Sequence, residues 1–317
     1  MSVAPSPRPA AGGGPEASAL AGVGLSLDHS ADALQELGPA LDMFEKLDLD
    51  SVEIFLPALG VVMGGRIRRG PLMQMRRVCA DRPFSLTVHG ALSCNLGDRP
   101  NAQLHRDIVR ATIEVAAEIG APLMVQHAAH VLDPTPARVA DALACEREGL
   151  AELAATAQAA KVVVAVETVN PDATAWAASP RELAAQLDAA ASPWIAATLD
   201  FSHAALNAAR RGFDMVAEMR DLARHARHLH LHDSFGRVPA FRPWSHGDAM
   251  MFGFGDLHLP PGAGALPWDA LAGLPYAGPA IANLELNKRW QPEWPEALAW
   301  ARRWVAQARD AQAARAR

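Results

Sequence analysis

Asp200 closes the apolar run ATLD, and His203 follows three residues later in the stretch ATLDFSHA at 197–204. An acid at the end of a buried run costs several kcal/mol unless something compensates it. A salt bridge or a helix cap would do so, but a carboxylate beside a histidine is also a donor set for a divalent cation such as Zn²⁺ or Mn²⁺. The same residue types recur along the chain. His89 follows FSLTV, His127 follows PLMVQ, Glu167 follows VVVAV, and His230 lies in RHLHLHD. Asp256 and His258 lie in GDLH, and Glu285 lies in AIANLEL. With Asp200 and His203 these make five histidines, two aspartates and two glutamates. Carboxylates brought together repel one another unless a cation lies between them.

The elements that would carry these residues alternate. Short β-type runs are expected at 22–27, 51–56, 84–89, 122–127, 162–167, 194–200, 227–233 and 280–286. Between and after them, Ala- and Leu-rich helical runs fall at 32–47, within 66–81, at 104–120, across 135–160 and near 180–190. Three more follow, across 204–225, near 267–273 and at 293–310. Strict alternation implies parallel strands joined by crossover helices. Eight such units fit an α/β fold of the (β/α)₈ TIM-barrel type, for which about 250 residues is typical. A doubly wound open sheet is the alternative, but no GxGxxG follows the first strand. In a barrel the C-terminal strand ends share one face, where active sites are built. That face would gather candidates from six consecutive units. The Gly-, Pro- and aromatic-rich loop 234–266 is long enough to be functional.

Composition narrows the class. The 317 residues are 50% apolar and 20% charged, as in an ordinary globular protein. A formal net charge of −6 argues against broad attraction to nucleic acid or an anionic membrane. Cys79, Cys94 and Cys145 have no metal or redox spacing, which points to a reducing, cytoplasmic compartment. Residues 1–20 are Pro-, Ala-, Gly- and Ser-rich without an apolar signal core, so they are expected to be a disordered arm. Residues 21–310 are expected to form one barrel domain and 311–317 a frayed tail. No run is long and apolar enough to span a membrane. The oligomeric state is left open, a homo-oligomer included.

Seven segments now carry a resemblance: TVHGALSCNL, MVQHAAH, VAVETVN, TLDFSHA, HLHDS, GDLHLPPGAG and NLELN. Their order resembles that of the xylose isomerase-like TIM barrels, a superfamily of sugar isomerases and epimerases that also contains endonuclease IV. The likeness runs from about residue 22 to 305. Similarity to the tagatose 3-epimerase-like branch implies one divalent ion held by Glu167, Asp200, His230 and Glu285. It further implies that Glu167 and Glu285 act as an acid/base pair on either face of the substrate carbon, through an enediolate. The substrate would be a sugar, keto-sugar or related polyol, and the ion Mn²⁺, Zn²⁺, Mg²⁺ or Co²⁺. A lyase or dehydratase of the same enediolate is a close variant, and a non-catalytic ligand-binding barrel is the reading without chemistry.

Similarity to endonuclease IV implies instead three zinc ions and phosphodiester hydrolysis at abasic sites. His89 and His127 with Glu167 would form one site, the four residues above a second, and His203, Asp256 and His258 a third. One to three ions per chain are therefore expected. Three departures weigh against this branch. Leu92 stands where that enzyme places an intercalating tyrosine, Gly262-Ala263-Gly264 lacks its acid, and ETVNP replaces its strand motif. The stretches GALSCNLGD, HAAHVLDPTPA, ETVNPDATAWAASP and DFSHAALNAA also lack the Lys and Arg that meet phosphates.

Other residues have two readings each. His228 and His232 either orient a ligand from behind or hydrogen-bond locally inside the barrel. His130 is an alternative ligand to His127. Trp244, Phe252, Phe254 and Trp290 either wall a pocket or pack the long loop. Arg237, Arg242, Lys288 and Arg289 meet an anion or simply water. Glu53 reaches the barrel mouth or pairs with an arginine.

Overall fold

A computed structural model describes residues 20–27, 33–170, 175–315 and 317. The expected N-terminal arm lies outside these residues up to position 19. Eight parallel strands close into a barrel. They are β1 (Leu20–Ser26), β2 (Ser51–Phe55), β3 (Ser85–His89), β4 (Leu123–His127), β5 (Val163–Glu167), β6 (Ile195–Asp200), β7 (Ala226–Leu231) and β8 (Ala280–Leu284). Each pairs with its neighbours in sequence, and β1 closes the ring against β8. The (β/α)₈ expectation therefore holds.

The two-residue period of a strand sorts side chains between the barrel interior and the helix layer. Along β7, Leu229 and Leu231 join the large core under the helices. His228 and His230 consequently face inward, and His232 continues that face. On β4 and β5, Leu123, Val125, Val163 and Ala165 form a separate small apolar cluster. They share the faces of His127 and Glu167, which are themselves directly paired in register. The inside of the barrel is thus apolar near the start of these strands and acid–histidine at their ends.

The helices differ from expectation in detail. The barrel is wrapped by α1 (Leu34–Phe44), α2 (Arg69–Cys79), α3 (Ala102–Glu118), α4 (Pro136–Ala160) and α5 (Pro180–Ala190). The helix expected across 204–225 is two, α6 (Phe201–Arg211) and α7 (Met215–Leu222), because Asp214 caps the second by accepting from Ala217 N at 3.0 Å. The β7–β8 connection contains an additional helix, α8 (His246–Phe252), before α9 (Trp268–Ala272). The last helix, α10 (Trp294–Arg315), continues past the boundary expected at 310. Its final turn is tied down by Gln312 donating to Leu274 O and Arg315 to Gly273 O. A short hairpin, Val62–Met63 with Arg66–Ile67, and an antiparallel two-stranded pair, His130–Leu132 with Ala175–Ala177, lie outside the barrel. Cys79, Cys94 and Cys145 are free and buried. Among the described residues no helix is long and apolar enough to cross a membrane.

Asp233 organises the long β7–β8 connection. Its Oδ1 accepts from Ser234 N at 2.9 Å and Leu266 N at 3.2 Å, and its Oδ2 from Gly262 N at 2.8 Å and Trp268 Nε1 at 2.9 Å. A Cβ on Gly264 would collide with Asp233 Oδ1 and Ser234 O, so the clamp has no room for a side chain there. Asp233 also bridges antiparallel to Leu259, which fixes the segment carrying Asp256 and His258.

Glu146 on α4 is fully buried, and its Oε1 accepts from Ala129 N at 2.6 Å. It thereby braces the turn after β4. Burial pushes its carboxyl up to about 7, with the Ala129 hydrogen bond opposing. Below pH about 4 the group is protonated in both the folded and the unfolded chain. As pH rises toward 7 only the unfolded chain loses the proton, so the folded state loses about 3 kcal/mol that does not return at higher pH. Glu146→Gln keeps an acceptor for Ala129 and cannot ionise. Its stability relative to wild type is therefore expected to rise between pH 5 and 8. Urea midpoints of both chains across that range measure it, and a constant difference would contradict the assignment.

Candidate metal centre

All nine residues singled out by type converge at the C-terminal end of the barrel. Glu167 is 1% exposed and sits at the centre of four histidines. Its Oε2 lies 3.2 Å from His89 Nε2 and 3.5 Å from His127 Nε2. Its Oε1 lies 3.2 Å from His230 Nδ1 and 3.3 Å from His203 Nδ1. Asp200 is placed by the immediate start of α6. Its Oδ1 caps that helix by accepting from His203 N at 2.7 Å, and its Oδ2 lies 2.8 Å from His232 Nε2. Glu285 Oε2 reaches to 3.2 Å from His230 Nδ1 and, although buried, has no hydrogen-bond partner among the described residues. Asp256 Oδ2 stands 3.0 Å from Nε2 of both His203 and His258, while its Oδ1 accepts from Ser202 Oγ at 3.1 Å.

The tautomers follow from the backbone. A carbonyl oxygen can only accept, so an imidazole nitrogen bonded to one carries the proton. Nδ1 of His89, His203 and His258 donates at 3.0 Å to the carbonyls of Gly90, Thr168 and Glu285 respectively. All three rings therefore direct Nε2 into the cluster, which is how metal-binding histidines are commonly held. His258 holds its place from a left-handed backbone with φ of 46°, and its ring stacks on that of His232 at 4.1 Å.

The electrostatics show what the cluster lacks. Burial alone would raise the Glu167 carboxyl, but His230, His127 and the hydrogen-bonding His203 hold it well below the usual carboxylate range. Asp256 is likewise held low by His258, His203 and His232 against its burial. Conversely, burial disfavours charge on His89 and His258, yet Glu167 lifts the first to about 9 and Asp256 the second to about 10. Burial pushes His127 down to about 4. Protons on imidazoles thus supply the positive charge that a divalent cation would supply in their place. Ligand-type atoms of Glu167, Asp200, His230 and Glu285 all lie within 4.8 Å of one another. The unpartnered Glu285 Oε2 and the inward Nε2 atoms make the residues present fit a metal ion.

Some expectations change. His232 belongs with the cluster itself: it groups with Asp200 and His203, and with His258 and Glu285. Glu53 contacts His228 and His230, not an arginine. His130 lies on the outer antiparallel strand pair, beside a separate cavity of about 420 Å³ that also meets His105 and Arg138. Phe241, Phe252 and Phe254 pack on one another at 5.0–5.9 Å, while Trp244 is 98% exposed. The long loop therefore forms its own aromatic knot. Arg237 stacks over Phe235, and Arg289 reaches Met250 Sδ.

A closed parallel barrel with an acid–histidine cluster at its C-terminal end defines the class: a (β/α)₈ barrel with the site where such barrels build their chemistry. The chain belongs to the xylose isomerase-like TIM barrel family, whose sequence pattern matches residues 41–304. No curated protein matches it. Among solved structures, a D-tagatose 3-epimerase-like protein shares 15% identity, with 93% of this chain and 100% of that one covered at a TM-score of 0.66. An L-ribulose 3-epimerase shares 17% identity over 94% and 97% of the two chains at 0.62. A Thermus thermophilus protein, soaked with ZnCl₂, shares 21% over 88% and 98% at 0.60. At these identities the likeness establishes the fold.

Proposed function

We propose that the chain is a divalent-metal-dependent isomerase or epimerase of a small sugar, keto-sugar or related polyol. One observation carries this reading. Carboxylate oxygens of Glu167 and Glu285, from non-adjacent barrel strands, each stand 3.2 Å from the same His230 Nδ1. Two carboxylates therefore flank one ligand position, as proton transfer on either face of a carbon requires. The names of two structural neighbours, a D-tagatose 3-epimerase-like protein and an L-ribulose 3-epimerase, support a carbohydrate substrate.

Glu167, Asp200, His230 and Glu285 would hold the ion. Bound there, a divalent cation supplies Lewis-acid stabilisation of negative charge developing on a substrate oxygen. One glutamate takes the proton from the carbon beside the substrate carbonyl, and the other returns it. The four histidines around Glu167 keep its carboxylate ionised. A panel of ketoses and aldoses incubated with Mn²⁺-, Co²⁺- or Zn²⁺-loaded protein in D₂O tests the reading. The expected result is an isomer or epimer carrying deuterium at the reacting carbon. No conversion and no exchange with any metal would overturn it.

Phosphodiester hydrolysis is the second reading. It is favoured by His203 and His258, whose Nε2 atoms each stand 3.0 Å from Asp256 Oδ2 and would supply ligands for a further cation. Metal-dependent cleavage of duplex DNA at an abasic-site analogue would decide for it.

A further inference from the structure

His230 is turned the opposite way from His89 and His258, whose Nε2 atoms face the acids. Its Nδ1 faces the acids, at 3.2 Å from Glu167 and Glu285 and 3.8 Å from Asp200. No backbone carbonyl is its hydrogen-bond partner; on the far side its Nε2 meets Glu53, 3.2 Å from Oε1 and 3.3 Å from Oε2. We propose that Glu53 is a positioning residue for the metal centre: by accepting the Nε2 proton of His230 it fixes the tautomer that offers Nδ1 to a cation. This rests on the metal-dependent reading above.

Glu53 is itself held in place by side chains that the proposed chemistry does not otherwise use. Ser26 Oγ donates to Glu53 Oε1 at 2.8 Å, and Asn283 Nδ2 donates to Ser26 Oγ at 2.8 Å. His228 Nε2 stands 2.8 Å from Glu53 Oε2, off the hydrogen-bond direction. Ser26, Glu53, His228, His230 and Asn283 are all no more than 2% exposed. A Cβ on Gly24 would come within 2.7 Å of Asn283 Oδ1, so β1 gives up a side chain where this chain of contacts passes. The relay runs from β8 through β1 and β2 to β7, across the seam where the barrel closes. A buried carboxylate is costly unless it is fully engaged, and here it engages the Nε2 of a ligand-type histidine that has no carbonyl to set its tautomer. Carboxylates bonded behind ligating histidines fix the ring and raise its basicity, and losing one weakens metal binding about 10- to 100-fold.

Cobalt binding to metal-free protein tests this without recourse to turnover. Dissociation constants come from competition with a chromogenic chelator, and the d–d spectrum reports the ligand geometry. Glu53→Gln is expected to bind Co²⁺ about 10- to 100-fold more weakly and to shift the d–d bands, with the circular dichroism of the metal-free chain unchanged. Ser26→Ala keeps the carboxylate and removes only the hydroxyl that orients it. It is expected to shift affinity in the same direction by a smaller factor, and it carries the test should Glu53→Gln fail to fold. Wild-type affinity and spectrum in the folded Glu53→Gln chain, or in Ser26→Ala if that is the chain that folds, overturns the positioning role and leaves the metal reading standing. A wild-type chain that takes up no cobalt overturns both.

Discussion

Glu167→Gln and Glu285→Gln are each expected to lower turnover by at least about a thousandfold, while differing in their effect on the fold. Each change removes a charged ligand and a group able to carry a proton, and a positioned carboxylate base alone contributes about 10² to 10⁴. The structural consequences diverge because the two residues are held differently. Glu167 is touched by His89, His127, His203 and His230. Replacing it with an amide leaves protonated, buried imidazoles facing a neutral group, and unpaired buried charge is strongly destabilising. Glu285 Oε2 has no hydrogen-bond partner among the described residues to lose. In the metal-free chain Glu285→Gln, which gives up one 3.2 Å ion pair with His230, should therefore lower the thermal midpoint less than Glu167→Gln, which gives up its pairs with four histidines, while both variants lose activity. Steady-state rates on metal-replete protein and melting curves of the metal-free chains measure this. Activity within threefold of wild type in either variant sinks the acid/base assignment.

The strand-end residues were readable because strands have a period of two and helices do not. In HLHL, residues 228–231 of β7, polar and apolar residues alternate strictly. That pattern can only put the histidines on one side of a sheet and the leucines on the other. The polar side must be the interior once the leucines are committed to the helix layer. What one strand cannot reveal is depth. Strands of a barrel are staggered along its axis, so whether an inward residue lies above or below its neighbours depends on shear, which is a property of the whole ring. Glu53 and His228 were visible as candidates, but their place behind His230 was not. His232 lies one residue beyond β7, where alternation no longer guarantees direction. Within the β7–β8 connection, α8 was missed because seven residues are too few for a helical period to stand out. The break between α6 and α7 rests on a cap at Asp214, a local hydrogen bond that a long Ala-rich run conceals.

Stripping the metal with a chelator is expected to abolish activity and to lower the thermal midpoint by on the order of 5–10 °C, both reversed by adding back Mn²⁺, Co²⁺ or Zn²⁺. The size follows from linkage, because an ion at a thousand times its dissociation constant stabilises the folded chain by about 4 kcal/mol. The metal-free chain should nonetheless stay folded, since protons on the surrounding histidines already offset the buried acids in part. How many ions return then separates the two functional readings. The set Glu167, Asp200, His230 and Glu285 makes one compact site. An isomerase or epimerase needs only that one, and His258→Ala should leave a stoichiometry of one ion per chain while perturbing rate or KM. His203, Asp256 and His258 would hold a further ion in a three-metal hydrolase, and His258→Ala should then lose one equivalent. Elemental analysis of the reloaded wild type and His258→Ala chains gives the count. Three ions in the wild type and two in the variant would move the assignment from carbon–hydrogen chemistry to phosphodiester hydrolysis. Full activity in chelator-treated protein shown to hold no metal would remove the cation from either.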